Sequence, residues 1–266
     1  MRTNAIELSD VSFTRRGNAI LADVNLGVPA GSCCAILGPN GSGKSALMAV
    51  LSGYLWPSTG TVTVNGRRYG RVSLGEVRRT IGLIEPSRAP RFDPKMCVRE
   101  VVATGLFGTI MLPLHREVEA RQWQRVAAEL APLGLASIAE RAYGDLSSGE
   151  QMKTLLARAL VADANVLLFD EPTVGLDMGA RAACIEVLDE LMRRTDPPTM
   201  VIVSHHLDEL PRAVHRVVLM KAGRLVAQGT PGEMLTSVRL SLLFDCQVDV
   251  IENKGRFVAD VRAAGL

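Results

Sequence analysis

The chain has 266 residues, 47% of them hydrophobic, and a formal net charge of +2. That composition supports a substantial core in one large domain or two small ones, and near-neutral charge gives no reason to expect a nucleic-acid partner. The longest uncharged apolar run, Val101 to Leu114, is interrupted by Gly105, Gly108 and Pro113 and is too short for a bilayer span of about 20 residues. With no apolar signal run at the N-terminus, this points to a cytoplasmic protein. The five cysteines, Cys33, Cys34, Cys97, Cys184 and Cys246, show no C-x-x-C spacing and read as reduced thiols.

Taken in order, Ala5–Leu8, Val11–Phe13 and Ile20–Leu26 alternate as strands and end at Pro29-Ala30-Gly31. Ser32–Leu37 is a short apolar run that reads as a buried strand, and Ala46–Leu51 reads as helix. Between them stands Gly38-Pro39-Asn40-Gly41-Ser42-Gly43-Lys44-Ser45, which fits G-x-x-x-x-G-K-[ST], the phosphate-binding loop of nucleoside triphosphatases. Glycines without Cβ let backbone N–H groups turn inward, Lys44 can reach the β- and γ-phosphates, and the Ser45 hydroxyl can sit on Mg²⁺. The helix that starts near Lys44 aims its positive end at the same anion.

Thr61–Val64 is a β-branched strand closed by the hairpin signal Asn65-Gly66. Val72–Thr80 reads as a short helix, Ile81–Ile84 as a strand and Glu85–Lys95 as a proline-containing loop. The period then turns helical over Val98–Thr109, Glu117–Leu133 and Glu150–Val161. Strands return at Val166–Phe169 and Met200–Val203, with helices at Ala180–Arg194 and near Leu207–Val214. Val217–Met220 and Arg224–Ala227 flank Ala222-Gly223 as a hairpin. A helix over Gly232–Phe244 and strands over Gln247–Glu252 and Arg256–Val261 close the chain. The order reads as an α/β protein: a parallel core, a helical insertion and an antiparallel β part.

The strand Val166–Phe169 runs into Asp170-Glu171. Carboxylates at the end of a buried strand are costly unless a cation sits there, and Mg²⁺ with a triphosphate is such a cation. Asp170 would then hold Mg²⁺ through water and Glu171 would act as general base on the attacking water. A solvated acidic turn would look the same in isolation; the phosphate loop upstream decides between them.

With Leu146-Ser147-Ser148-Gly149-Glu150, Asp170-Glu171-Pro172-Thr173, Gly175-Leu176-Asp177 and Ser204-His205 in this order after the phosphate loop, the chain resembles the nucleotide-binding domain of the ATP-binding cassette (ABC) family over roughly residues 5–235. The resemblance implies a P-loop NTPase (ABC ATPase) core at 1–85 and 163–235, with a parallel sheet and an antiparallel β subdomain. It places a helical subdomain at 86–162 and a small extension at 236–266. It implies that Gly38, Pro39, Asn40, Gly41, Ser42, Gly43, Lys44, Ser45 and Ala46 bind the ATP phosphates. Leu146, Ser147, Ser148, Gly149 and Glu150 stand where the signature serves the ATP of a second cassette. The resemblance further implies that Asp177 couples the two sites and that His205 contacts the γ-phosphate and orients Glu171.

Several positions depart from the family pattern. Arg15 stands where an aromatic stacks on adenine, leaving either guanidinium stacking or a loosely held base; Phe13 lies two residues away on the same strand face. Ala46 replaces a threonine, and Ser148 and Glu150 replace glycine and glutamine. The glutamine that joins metal to permease would fall near Pro86, which leaves Glu85 or Ser87 to supply the metal contact. Within the family, Ser204-His205-His206 with Asp208-Glu209 resembles the ATPases of metal-chelate and vitamin importers, and also small soluble ABC ATPases. The expected function is the MgATP-hydrolysing subunit of an ABC transporter, a homodimer energising a separate membrane permease from the inner face of the membrane. The alternative is a soluble ABC ATPase without a permease, in a regulatory or nucleic-acid-associated role.

Overall fold

The computed structural model describes residues 3–86, 92–113, 115 and 117–262. Two twelve-residue strands open the chain, β1 (Asn4–Arg15) and β2 (Asn18–Pro29), joined at Arg16-Gly17. Both turn residues have positive φ, 52° and 81°, the backbone a two-residue right-twisted hairpin requires. β3 (Cys33–Leu37) leads through the glycine loop into α1 (Lys44–Leu51). β4 (Thr59–Val64) turns at Asn65-Gly66 into β5 (Arg67–Arg68), then α2 (Leu74–Arg79) and β6 (Ile81–Ile84) follow.

A helical stretch comes next: α3 (Val98–Ala103), α4 (Ala120–Leu130) and α5 (Ser148–Val161). Then come β7 (Val166–Asp170), α6 (Met178–Met192), β8 (Thr199–Ser204), β9 (Arg216–Lys221) and β10 (Arg224–Gly229). α7 (Pro231–Met234), α8 (Ser237–Phe244), β11 (Gln247–Asn253) and β12 (Arg256–Arg262) end the described chain.

The strands form three sheets. The central one runs β10-β9-β3-β8-β7-β6, parallel except for the β9–β10 hairpin at its edge. An antiparallel sheet runs β2-β1-β4-β5, and β11-β12 form a separate ribbon. The central strands are buried on both faces, as parallel strands must be, and their period-2 alternation divides two cores. Cys33, Ala35, Leu37, Leu167, Phe169, Met200 and Ile202 face the cluster shared with α3–α6. Cys34, Ile36, Val166, Leu168, Val201 and Val203 face α1 and the antiparallel sheet. Gly82 is required here: a Cβ would stand 2.6 Å from Ala159 Cβ, so α5 lies close on β6.

Four expectations differ in detail. Val98–Thr109 is α-helical only to Ala103, tightens to a 3₁₀ turn over Thr104–Phe107 and stops at Gly108, φ 66°. The Glu117–Leu133 helix is shorter, at 120–130. Leu207–Val214 is a run of turns: Pro211 offers no N–H, and the Ala213 N–H goes to buried Asp189 Oδ1 at 2.9 Å rather than to a helical carbonyl. Gly232–Phe244 is two helices, because Thr236 leaves helical geometry to cap α8.

Candidate functional site

Parallel strands deliver their C-terminal ends to one edge, where open α/β sheets bind ligands. The register fixes who meets there. Leu37 pairs with Ser204, Asp170 with Val203 and Ile84 with Phe169. The glycine loop, Asp170-Glu171, Ser204-His205 and Glu85 therefore leave the sheet side by side. Glu85 comes level with Asp170, while Ser87 lies outside the described residues. Pro86 lines a cavity of about 170 Å³ with Ser148, Gln151, Gly175 and Leu176, so the loop after β6 faces the start of α5.

The glycine loop is wedged between strands that come from far along the chain. A Cβ on Gly38 would stand 2.1 Å from the Met220 carbonyl oxygen, and one on Gly43 (φ 102°) 2.9 Å from that of Ile20. The loop is tied by the Gly223 N–H to Ser42 O at 2.9 Å, and Gly223 O in turn accepts from the Ala22 N–H. Lys44, 6% exposed, curls back so that Nζ donates to the carbonyls of Gly38 (2.7 Å) and Pro39 (2.9 Å). Burial lowers its pKa, and the nearby charges of Glu171 and Asp170 pull the other way. Ser42 Oγ is buried and finds no hydrogen-bond partner among the described residues. The first N–H groups of α1 have no intrahelical acceptor. A cradle closed to Cβ atoms, a buried ammonium, an unpartnered hydroxyl and a helix N-terminus form a donor set that fits a phosphate chain.

Opposite the loop, Glu171 Oε1 lies 3.0 Å from His205 Nδ1. Glu171 holds φ 50° while its N–H donates to Val203 O at 3.0 Å. A non-glycine residue in that region costs about 1–2 kcal/mol, and here it turns the carboxylate out of the sheet toward the histidine. His205 is itself seated from below. Ser204 Oγ donates to Glu209 Oε2 (2.9 Å) and accepts the His206 N–H (3.0 Å). Glu209, 6% exposed, meets Arg181 at 3.5 Å. This Ser204–Glu209–Arg181 chain is absent from the sequence reading, which noted Asp208-Glu209 only as a subgroup feature. Two acids one residue past Ser204-His205-His206 were its one visible signal. His206 is exposed and stacks near His205, ring centroids 4.0 Å apart.

The start of α5 is a second cluster. Ser147 is the N-cap and shares a capping box with Glu150: the Ser147 N–H (2.8 Å) and Oγ–H (2.9 Å) both donate to Glu150 Oε2. Gly149 lets this turn approach α6, since a Cβ would sit 3.1 Å from Ala180 Cβ. Ser148 Oγ donates to Gly175 O at 3.4 Å, and Asp177 caps α6 by accepting the Ala180 N–H at 2.8 Å. Leu146 is buried beneath them. Arg15 is exposed at the β1–β2 turn, pairing with Asn18 two residues before the Ile20 that touches the glycine loop. Phe13 packs against the core beside Leu21. Among the described residues no three His, Cys, Asp or Glu cluster as a metal site, and no helix is long and apolar enough to cross a membrane.

A nucleotide loop on β3, paired carboxylates after β7 and a histidine after β8 define a P-loop ATPase. The model of the ABC transporter family matches residues 21–174. An ABC transporter ATP-binding protein, YlmA, of Bacillus subtilis (strain 168) is 33% identical over 252 residues, covering 94% of this chain and 95% of that protein. The hemin import ATP-binding protein HmuV of Rhizobium meliloti (strain 1021) is 32% identical, covering 92% and 93%. Among solved structures, cbiO1 from Clostridium perfringens, part of the ABC transporter complex cbiONQ, superposes with a TM-score of 0.77 at 26% identity, covering 90% and 93%. The chain belongs to the ABC transporter family, as an ATP-binding and ATP-hydrolysing cassette.

Proposed function

We propose that two copies of this cassette hydrolyse MgATP between them while seated on a separately encoded membrane permease at the inner face of the membrane. The observation that carries the catalytic part is the 3.0 Å contact of Glu171 with His205 across from Lys44. Lys44 leaves the carbonyls of its own loop to hold the β- and γ-phosphate oxygens, with the N–H groups of Gly41 to Ala46 around them. Asp170, 7% exposed, and the Ser45 hydroxyl would hold Mg²⁺, with Glu85 beside Asp170 as a further candidate oxygen. When bound, the ion neutralises charge on the β- and γ-phosphates. Glu171 takes the proton of the attacking water, and His205 fixes the carboxylate and reaches the γ-phosphate.

Where the parts lie supports pairing. The glycine loop packs on the β1–β2 and β9–β10 hairpins, whereas Ser147–Glu150 packs on the start of α6. A head-to-tail dimer supplies each loop with the other copy's signature, and the bond from Ser148 to Gly175 links that signature to the Asp177 turn. Residues 86–162 act as the helical subdomain and 236–266 as an extension to the α/β core. The hemin-import relative favours an importer of the metal-chelate type. Tagged protein purified from membranes of its own organism in mild detergent should bring down an integral membrane protein at a fixed ratio. Recovery of the cassette alone, active and in the soluble fraction, would count against a permease.

A further inference from the structure

The signature turn carries a carboxylate at the place where the proposed function brings a phosphate. Glu150 Oε2 takes both the N–H and the hydroxyl proton of Ser147. The hydroxyl has one proton, so Ser147 cannot donate to a phosphate oxygen until it turns away from Glu150. A carboxylate freed in this way would stand unbalanced beside an arriving anion.

Arg141 supplies the balance. One guanidinium nitrogen meets Glu150 Oε1 at 3.1 Å and the other donates to the Asp145 carbonyl, so a single planar fork spans both ends of the turn. Its backbone is fixed from two sides: the Arg141 N–H donates to Ile138 O, and its carbonyl accepts the Val98 N–H at the start of α3. The Glu150 pKa is lowered, chiefly by the Ser147 N–H, and Arg141 adds to the shift. The pair is only half withdrawn from solvent, with side chains 42% and 29% exposed.

We infer that Arg141 is a positioning residue for ATP-driven pairing: it holds the charge of Glu150 so that the Ser147 hydroxyl can turn to the phosphate of the other copy. This rests on the reading that Ser147–Glu150 faces ATP held by a paired cassette. Lysine could neutralise Glu150 but could not also hold Asp145.

The test uses the full chain carrying Glu171→Gln. Sedimentation measures association with ATP, and a fluorescent ATP analogue measures nucleotide affinity at protein concentrations where the chain is monomeric. Arg141→Ala should weaken ATP-driven association about tenfold, more at low salt, while monomer affinity stays within about twofold. Adding Glu150→Gln to Arg141→Ala should restore association to within about threefold of the parent, because no unbalanced charge remains. Arg141→Lys should lie between. Unchanged association in Arg141→Ala, or a defect that persists with Glu150→Gln, overturns the assignment and leaves Arg141 as a prop for the Asp145 turn. A parent that binds the analogue but never associates overturns the paired-cassette reading, and this assignment with it.

Discussion

The C-terminal edge of the central sheet and the N-terminus of α5 are built on opposite plans. At the sheet edge, Lys44, Asp170, Glu171 and His205 arrive from three neighbouring strands, and the register of β3, β8 and β7 sets their spacing. At the start of α5, Ser147 to Glu150 are contiguous, and Ser147 and Glu150 bond to one another. The first is a cluster that needs long-range folding, because its residues come from strands far apart in the chain. The second is a largely local device, a capping box braced by Arg141 and by packing on α6. Under the proposed function, strand topology would place the catalytic residues, and the helix cap would hold the signature turn until a second copy pairs with it.

The sharpest way to break that contrast is to disable one half at a time. Glu171→Gln removes the base and keeps the shape, so turnover should fall by at least about a hundredfold while ATP binding persists. With hydrolysis stopped, ATP should double the mass in solution. Ser147→Arg, which alters only the α5 turn, should leave ATP binding and abolish the doubling. Phosphate release and light scattering read both. Full activity in Glu171→Gln would remove the base assignment, and an ATP-loaded chain that stays monomeric would point to a different cassette as partner.

A smaller effect tests whether the sheet edge really depends on long-range support. Glu209 sits five residues past Ser204 and fixes it from below, with Arg181 of α6 behind. Glu209→Ala would remove the buried acceptor of Ser204 and leave Arg181 with only the more exposed Asp208, at a cost of about 1–3 kcal/mol. Turnover should drop about tenfold through a misplaced His205, with KM for ATP nearly unchanged because the glycine loop is untouched. A parallel loss of nucleotide affinity would show general unfolding instead, and thermal melting distinguishes the two.

The two halves were unequally legible in the sequence. The α5 turn can be read from five adjacent residues as a signature match and a helix N-cap, but the hydroxyl–carboxylate bond of Ser147 with Glu150 is visible only in the structure. Strand identity in the core was equally plain, because fully apolar runs such as Val166–Phe169 have few alternatives. The sheet edge was legible only as separate motifs. That Glu171 would adopt positive φ, or that Arg181 would reach Glu209, depends on which strands become neighbours. The Leu207–Val214 segment misled for a related reason. Its apolar residues are spaced for a helix, but Pro211 and the buried Asp189 offered its backbone other bonds.

The smallest effect concerns the base of the nucleotide, where the structure narrows the choice left by the sequence. Phe13 is half-buried and packs against the core beside Leu21. Arg15 is the exposed residue at that end of β1, next to the turn whose second strand touches the glycine loop. A guanidinium plane offers less contact area than a tyrosine ring and reads no base edge when it stacks. Base selectivity should therefore be loose, with ATP and GTP affinities within about tenfold, or roughly 1.4 kcal/mol. Arg15→Tyr should tighten ATP a few-fold, on the order of 0.5–1 kcal/mol of added stacking. Titration of the Glu171→Gln variant with both nucleotides measures this free of hydrolysis. A strong native preference for ATP that survives Arg15→Ala would place adenine recognition elsewhere. The phosphate cradle would stand unaffected, because its donors come from the loop backbone and from Lys44.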